Sequence, residues 1–142
     1  MRVILDANVV IAAVASRGLC EAIVELCLDH HHLVFCDEIL DEIEEKLRSK
    51  LKVAPAVVAE LLDILRHNAE VLRPEEIAAK CCRDPHDLKV LGLVVPGRDE
   101  AIVTGDKDLL VIGESEGARI MTPRGFWESN KKHVKNGSKL SL

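Results

Sequence analysis

Two short apolar runs in this chain each end in a carboxylate. The run at 101–104 (AIVT) is rich in β-branched residues and is followed by a glycine, by Asp106 and by Asp108. Apolar alternation and β-branching favour a strand, and glycine permits a tight turn out of it. The run at 2–5 (RVIL) has the same character and is followed by Asp6. Because open α/β sheets bind ligands at the carboxyl ends of their strands, the sequence predicts an acidic pocket at one edge of a sheet.

Strand-like and helix-like segments alternate along the whole chain. The strand-like runs lie at 2–5, 33–36, 70–72, 101–104 and 119–122. Between them lie segments with helical periodicity, including one predicted to begin at Pro85 and to end near Val95. This alternation is typical of an α/β sandwich with a mostly parallel sheet, and the length of 142 residues fits a single domain.

Charge and cysteine usage narrow the function classes. The formal net charge of −5 argues against a protein that coats nucleic acid, because phosphate binding needs a cationic surface. A nuclease can instead carry acids in its metal site and cations at its rim. The cysteines are odd in number and form no C-x-x-C pair, which predicts a reduced, cytoplasmic chain. No apolar run approaches the roughly 18 residues needed to cross a bilayer, so we expect no membrane partner.

Two further carboxylates fall on or beside apolar helix faces. Asp87 lies within the apolar arc of the helix predicted from Pro85, where a charge must find a partner or shift its pKa. The alternative is a capping box formed by Asp84 and Asp87. Glu42 lies beside the apolar stripe of an earlier predicted helix, the acidic segment EILDEIEEKL. Its helical angle alone favours a surface ion pair with Lys46 at i,i+4.

Several carboxylates would therefore converge on one edge of the sheet. Asp6, Asp87, Asp106 and Asp108 would repel one another strongly there, and a hard divalent cation would relieve that repulsion. Oxygen ligands without Cys or His in register select Mg²⁺ or Mn²⁺ over zinc. Thr104, at the end of its strand, is placed to hydrogen-bond a ligating carboxylate. The predicted chemistry is metal-assisted hydrolysis of a phosphate ester.

Five segments, in this order and at this spacing, give the chain a resemblance to a known family. They are VILDANVVIAA, EILDEIEEKL, CRDPHDLKVL, AIVTGDKDLL and RIMTPRGF. The chain resembles PIN-domain ribonucleases of the kind found as toxins of prokaryotic toxin–antitoxin pairs. The resemblance covers residues 1–128 and leaves 129–142 as a polar, basic C-terminal tail with Lys131, Lys132, Lys135 and Lys139.

The resemblance implies a three-layer α/β/α sandwich and an endoribonuclease that depends on Mg²⁺ or Mn²⁺. The implied catalytic acids are Asp6, Glu42, Asp87 and Asp106, and the implied metal ligands are Asp6, Asp87 and Asp106. The implied supporting residues are Asn8, Asp84, Thr104 and Asp108. The implied partners are an RNA substrate, an antitoxin protein and a second copy of the chain in a homodimer.

Two other functions remain open at this point. A phosphatase of the haloacid dehalogenase type also has an acid after its first strand, but its Asp-x-Asp motif needs an acid where this chain has Asn8. A catalytically silent PIN-like binding module is the other alternative. The presence of all four implied acids speaks against it, because isolated acids in a pocket destabilise the fold once a ligand role is lost.

Overall fold

A computed structural model of the protein describes residues 1–78 and 82–131. The strands are β1 (Arg2–Leu5), β2 (His32–Phe35), β3 (Ala69–Val71), β4 (Ala101–Val103), β5 (Glu114–Ser115) and β6 (Ala118–Met121). The helices are α1 (Ala7–Ala15), α2 (Leu19–His30), α3 (Asp37–Ser49), α4 (Pro55–His67), α5 (Pro85–Gly92), α6 (Val94–Gly97), α7 (Lys107–Ile112) and α8 (123–131). The predicted basic tail therefore begins within α8, and its remainder at 132–142 lies outside the described residues.

The strands form one sheet in the order β3-β2-β1-β4-β6-β5. Every neighbouring pair is parallel except β5 and β6, so the predicted mostly parallel sheet is confirmed. β5 was not predicted from the sequence, because this strand of two residues carries no apolar pattern. It pairs with β6 through a tight turn that contains Gly117 at φ +89°.

The central strands are covered on both faces. Val3, Ile4 and Leu5 of β1 are fully buried, although successive side chains of a strand point to opposite faces of the sheet. Burial of consecutive residues is typical of a parallel sheet with helices on both sides. The expected α/β/α sandwich is thus the observed fold. Among the described residues, no helix is both long and apolar enough to cross a membrane.

The helix predicted from Pro85 to Val95 is wrong in its length. The structure has two helices there, because α5 ends at Gly92 and α6 begins at Val94. The segment after β3 crosses α5 at this point, and the Glu75 amide donates to the Gly92 carbonyl at 2.8 Å. A Cβ on Gly92 would lie 2.3 Å from the Glu75 carbonyl oxygen, so only glycine permits this crossing. A contact with a distant segment therefore lies where the single predicted helix is divided into α5 and α6.

The sheet topology determines where the predicted acids meet. From β1 the chain continues to β2 and β3 on one side, and β4 then adds on the other side of β1. The strand order thus reverses between β1 and β4, which makes their carboxyl ends the crevice where such sheets bind ligands. Leu5 is paired with Val103, so Asp6 and Thr104 leave the sheet side by side.

Candidate functional site

Asp6 and Asp106 are linked through the Thr104 side chain. The Thr104 hydroxyl donates to Asp6 Oδ2 at 2.6 Å, and the Asp106 amide donates to the same hydroxyl oxygen at 3.0 Å. Thr104 is fully buried, and Asp6 is buried too. The Thr104 side chain therefore joins the carboxyl ends of the two central strands. The hydrogen bond that the sequence predicted from Thr104 to a carboxylate is present.

Three of the carboxylates approach one another closely. One oxygen from each of Asp84, Asp87 and Asp106 lies within 4.8 Å of the others. Asp84 and Asp106 precede α5 and α7 and accept from backbone amides in the first turns of these helices. Asp87 lies in the first turn of α5 and is 3% exposed, as its place on the apolar arc predicted. Its Oδ2 atom is buried and has no hydrogen-bond partner among the described residues.

The capping-box alternative is half correct, because Asp84 caps α5 but, among the described residues, no hydrogen bond to the Asp87 side chain completes the box. Asp84 Oδ1 accepts from the His86 amide at 2.9 Å, which is the N-cap contact expected for the start of α5. The cap uses this oxygen, and the same side chain still reaches the group formed with Asp87 and Asp106. A structural role and a place in the site therefore coexist in one residue.

Burial and mutual repulsion perturb the acids of this pocket. Burial, followed by the charges of Asp106, Asp84 and Asp6, raises the pKa of Asp87 from its ordinary 3.8 to about 7. Burial also raises the pKa of Asp6, and the hydrogen bond from Thr104 opposes that rise in pKa. With a pKa of about 7, the Asp87 carboxyl is half protonated near neutral pH when no cation is bound.

The helical angle of Glu42 predicted its ion pair correctly and its surface position wrongly. Its carboxylate is buried and forms the predicted i,i+4 ion pair, with Lys46 Nζ at 2.8 Å from Oε1. The other oxygen lies 3.3 Å from His86 Nδ1 on α5. The charge of Glu42 nevertheless raises the pKa of Asp6, so Glu42 belongs to the same electrostatic pocket.

The remaining predicted residues lie further out. Asp108 is half-buried, and its Oδ1 is 3.5 Å from an Nη atom of the exposed Arg83. Asn8 is exposed on the first turn of α1, and its side chain has no hydrogen bond to the described residues. The structure therefore brings Asp6, Glu42, Asp84, Asp87, Thr104 and Asp106 together, with Asp108 at the rim and Asn8 outside.

Two basic groups of the pocket were not predicted as site residues. The i,i+4 spacing indicated the Lys46 ion pair, but it gave no sign that the pair would be buried beside other acids. His86 carried no sequence signal, because its proximity to Glu42 depends on the packing of α5 against α3.

The acidic group suits a small divalent cation. The oxygens of Asp84, Asp87 and Asp106 that lie within 4.8 Å of one another would hold one such ion after small side-chain movements. The unpartnered Asp87 Oδ2 is a buried acceptor that such an ion would satisfy. All candidate ligands are carboxylate oxygens, the donors that Mg²⁺ and Mn²⁺ prefer.

A parallel sheet with carboxylates at its switch point defines a protein that acts on a ligand at this edge. The sequence profile described as "PIN domain" matches residues 2–108, and this chain belongs to that family. Membership places it among nucleases, and so among hydrolases, and favours this class over the haloacid dehalogenase type.

The fold is similar to that of a chain in the crystal structure of VapBC2 from Rickettsia felis bound to a DNA fragment from their promoter. The similarity has a TM-score of 0.58 at 17% sequence identity and covers 86% of this chain and 98% of that chain. At this identity the likeness establishes the shared fold. A search of curated proteins finds no match.

Proposed function

We propose that the protein is a Mg²⁺- or Mn²⁺-dependent endoribonuclease. The observation that carries this proposal is the group of Asp84, Asp87 and Asp106, with a buried and unpartnered oxygen on Asp87. Membership of the PIN domain family supports hydrolysis of nucleic acid. A divalent cation held there would make a water molecule more acidic and would offset the negative charge of a phosphodiester.

The residues of the pocket divide into ligands and supports. Asp87 and Asp106 are the proposed central metal ligands. Asp84 has an oxygen within range of both. Asp6, which the family resemblance implies as a ligand, is held by Thr104 and adds its charge to the pocket. Glu42 is the fourth proposed catalytic acid, and it forms an ion pair with Lys46.

The direct test is cleavage of a structured RNA in Mg²⁺ and in Mn²⁺. We expect metal-dependent cleavage by the wild-type protein and its loss in Asp6→Asn and Asp106→Asn, which keep the shape and remove the charge. Asp63→Asn is the matched control, because Asp63 is an exposed acid on α4. If all three variants behave alike, the cleavage does not come from this pocket.

A calorimetric Mn²⁺ titration identifies the ligands separately from catalysis. Asp87→Asn is expected to weaken Mn²⁺ binding strongly. Asp84→Asn and Asp6→Asn then show which of the two residues completes the site. Binding of Mn²⁺ without cleavage of any RNA would point to another phosphodiester substrate. Absence of both would favour the silent binding module.

We further propose that the nuclease is the toxin of a toxin–antitoxin pair and acts in the cytoplasm as a homodimer. The sequence resemblance to such toxins supports this role, and the fold is shared with a chain of the VapBC2 complex. Expression in a bacterial host should arrest growth, and Asp106→Asn should relieve the arrest whereas Asp63→Asn should not. Light scattering of the purified chain tests the dimer.

A further inference from the structure

A lysine ammonium lies inside the acidic pocket. Lys46 Nζ is 2.8 Å from Glu42 Oε1, and the Lys46 side chain is 28% exposed. Besides the hydrogen bond to Glu42, the charges of Asp6 and Asp84 also raise the pKa of Lys46. The ammonium therefore lies against the buried Glu42 carboxylate, feels the charges of two further acids of the pocket, and is still partly accessible from outside.

A second ion pair on α3 provides a comparison for the Glu42–Lys46 pair. Arg48 and Glu44 have the same i,i+4 spacing, but their charged atoms are 3.8 Å apart and both side chains are largely exposed. Exposed pairs of this kind contribute little to stability. Only the Glu42–Lys46 pair is directed into the pocket, although both pairs follow the same local pattern.

The hydrogen-bonding capacity of the pair leaves the lysine available to a ligand. An ammonium has three N–H donors, and among the described residues Glu42 is its hydrogen-bond acceptor. Glu42 Oε1 accepts from Lys46, and its Oε2 lies 3.3 Å from His86 Nδ1. The pair thus presents N–H donors rather than a free carboxylate, which suits an anionic ligand.

We propose that Lys46 is a substrate-binding residue that donates to a phosphate oxygen of a nucleic-acid strand in the acidic pocket. A phosphodiester is repelled by Asp6, Asp84, Asp87 and Asp106, and one divalent cation offsets only part of that negative charge. A fixed ammonium beside the carboxylates supplies further attraction where the strand must approach. This inference rests on the proposed nuclease function.

The test compares Lys46→Met with Arg48→Met. Each variant removes one cation from α3 and one i,i+4 ion pair, so their difference reports the pocket. Cleavage of a single-stranded RNA oligonucleotide is measured in Mn²⁺. Binding of the same oligonucleotide is measured in EDTA over a range of NaCl concentrations. We expect Lys46→Met to lower kcat/KM by about 100-fold, in line with other deleted charge-stabilising donors. Arg48→Met is expected to leave kcat/KM unchanged.

Two further readouts separate substrate contact from a structural role. The slope of log K against log [NaCl] should fall in magnitude by about 0.7 for one lost single-strand phosphate contact. The affinity for Mn²⁺ should not fall in Lys46→Met, because removal of the ammonium makes the pocket more negative. Lys46→Arg should retain much of the activity, because it keeps the positive charge.

Loss of Lys46 also leaves Glu42 with one fewer cation, which could prevent folding. The double variant Glu42→Gln/Lys46→Met removes the unpaired charge, and its comparison with Glu42→Gln alone isolates the lysine. Equal RNA binding by these two proteins would overturn the inference, as would equal effects of Lys46→Met and Arg48→Met. If the wild-type protein does not bind Mn²⁺ and does not cleave RNA, the proposed nuclease function is refuted instead. The salt dependence of RNA binding then still tests the role of Lys46.

Discussion

Replacing Asp87 by Asn should stabilise the metal-free protein while abolishing its activity. Asp87 is buried, its Oδ2 has no hydrogen-bond partner among the described residues, and its pKa is raised from 3.8 to about 7. Because the native state holds this proton to a higher pH than the unfolded state, the free energy of unfolding falls as pH rises from about 4 to 7. Asn cannot ionise, so the free energy of unfolding of Asp87→Asn does not fall in this way as the pH rises.

The size of the effect follows from the pKa. A difference of one in pKa corresponds to about 1.4 kcal/mol, so the rise from 3.8 to about 7 gives an upper limit of about 4 kcal/mol. The new amide needs hydrogen bonds of its own, and an unmet one costs about 1–3 kcal/mol. We therefore expect Asp87→Asn to exceed the wild type by about 1–2 kcal/mol at pH 8, with no gain at pH 4.

Asp99 offers a matched control for burial without the metal site. It precedes β4 at the opposite end of the sheet and is buried, and neither of its carboxyl oxygens has a hydrogen-bond partner within the part of the chain that the structure describes. Its pKa is also raised to about 7, chiefly by burial. Asp99→Asn should show the same pH-dependent gain in stability as Asp87→Asn.

Urea unfolding with and without Mn²⁺ distinguishes the two sites. At a Mn²⁺ concentration of 100 times its dissociation constant, a native-state ligand adds about 2.7 kcal/mol. The wild type and Asp99→Asn should gain this stability, and Asp87→Asn should gain much less. If Asp87→Asn is less stable than the wild type at pH 8 without metal, the assignment of Asp87 as a buried, uncompensated charge is wrong. Equal Mn²⁺ stabilisation of all three proteins would refute its role as a ligand.

Two further substitutions test the framework of the site. Thr104→Val removes the hydroxyl that joins Asp6 to the next strand, and we expect a loss of about 1–3 kcal/mol in urea unfolding, with Thr104→Ser close to the wild type; equal stability of both variants would contradict this. Gly92→Ala places a Cβ 2.3 Å from the Glu75 carbonyl oxygen and should lower the melting temperature clearly, whereas Gly18→Ala, which meets no atom within 4 Å, should not.

Most of the sheet and the first acids of the pocket could be predicted from the amino-acid sequence. β1 and β4 are short apolar runs, and a carboxylate follows each of them within three residues. Such patterns are local, because strand formation and turn formation depend mainly on neighbouring residues. The apolar arc of α5 likewise predicted that Asp87 would be buried, and it is.

Which acidic and basic side chains come together in the pocket depends on the packing of elements that are distant in sequence. The oxygens of Asp84 meet those of Asp106 although 22 positions separate the two residues, because β4 lies beside β1 and α5 ends at its crossing with the segment after β3. The same packing buries the Glu42–Lys46 pair and brings His86 to it, which the i,i+4 spacing could not show. Periodicity determines which face of an element a residue occupies. The environment of that face depends on elements distant in sequence, and this environment set the charges, pKa values and partners of the site.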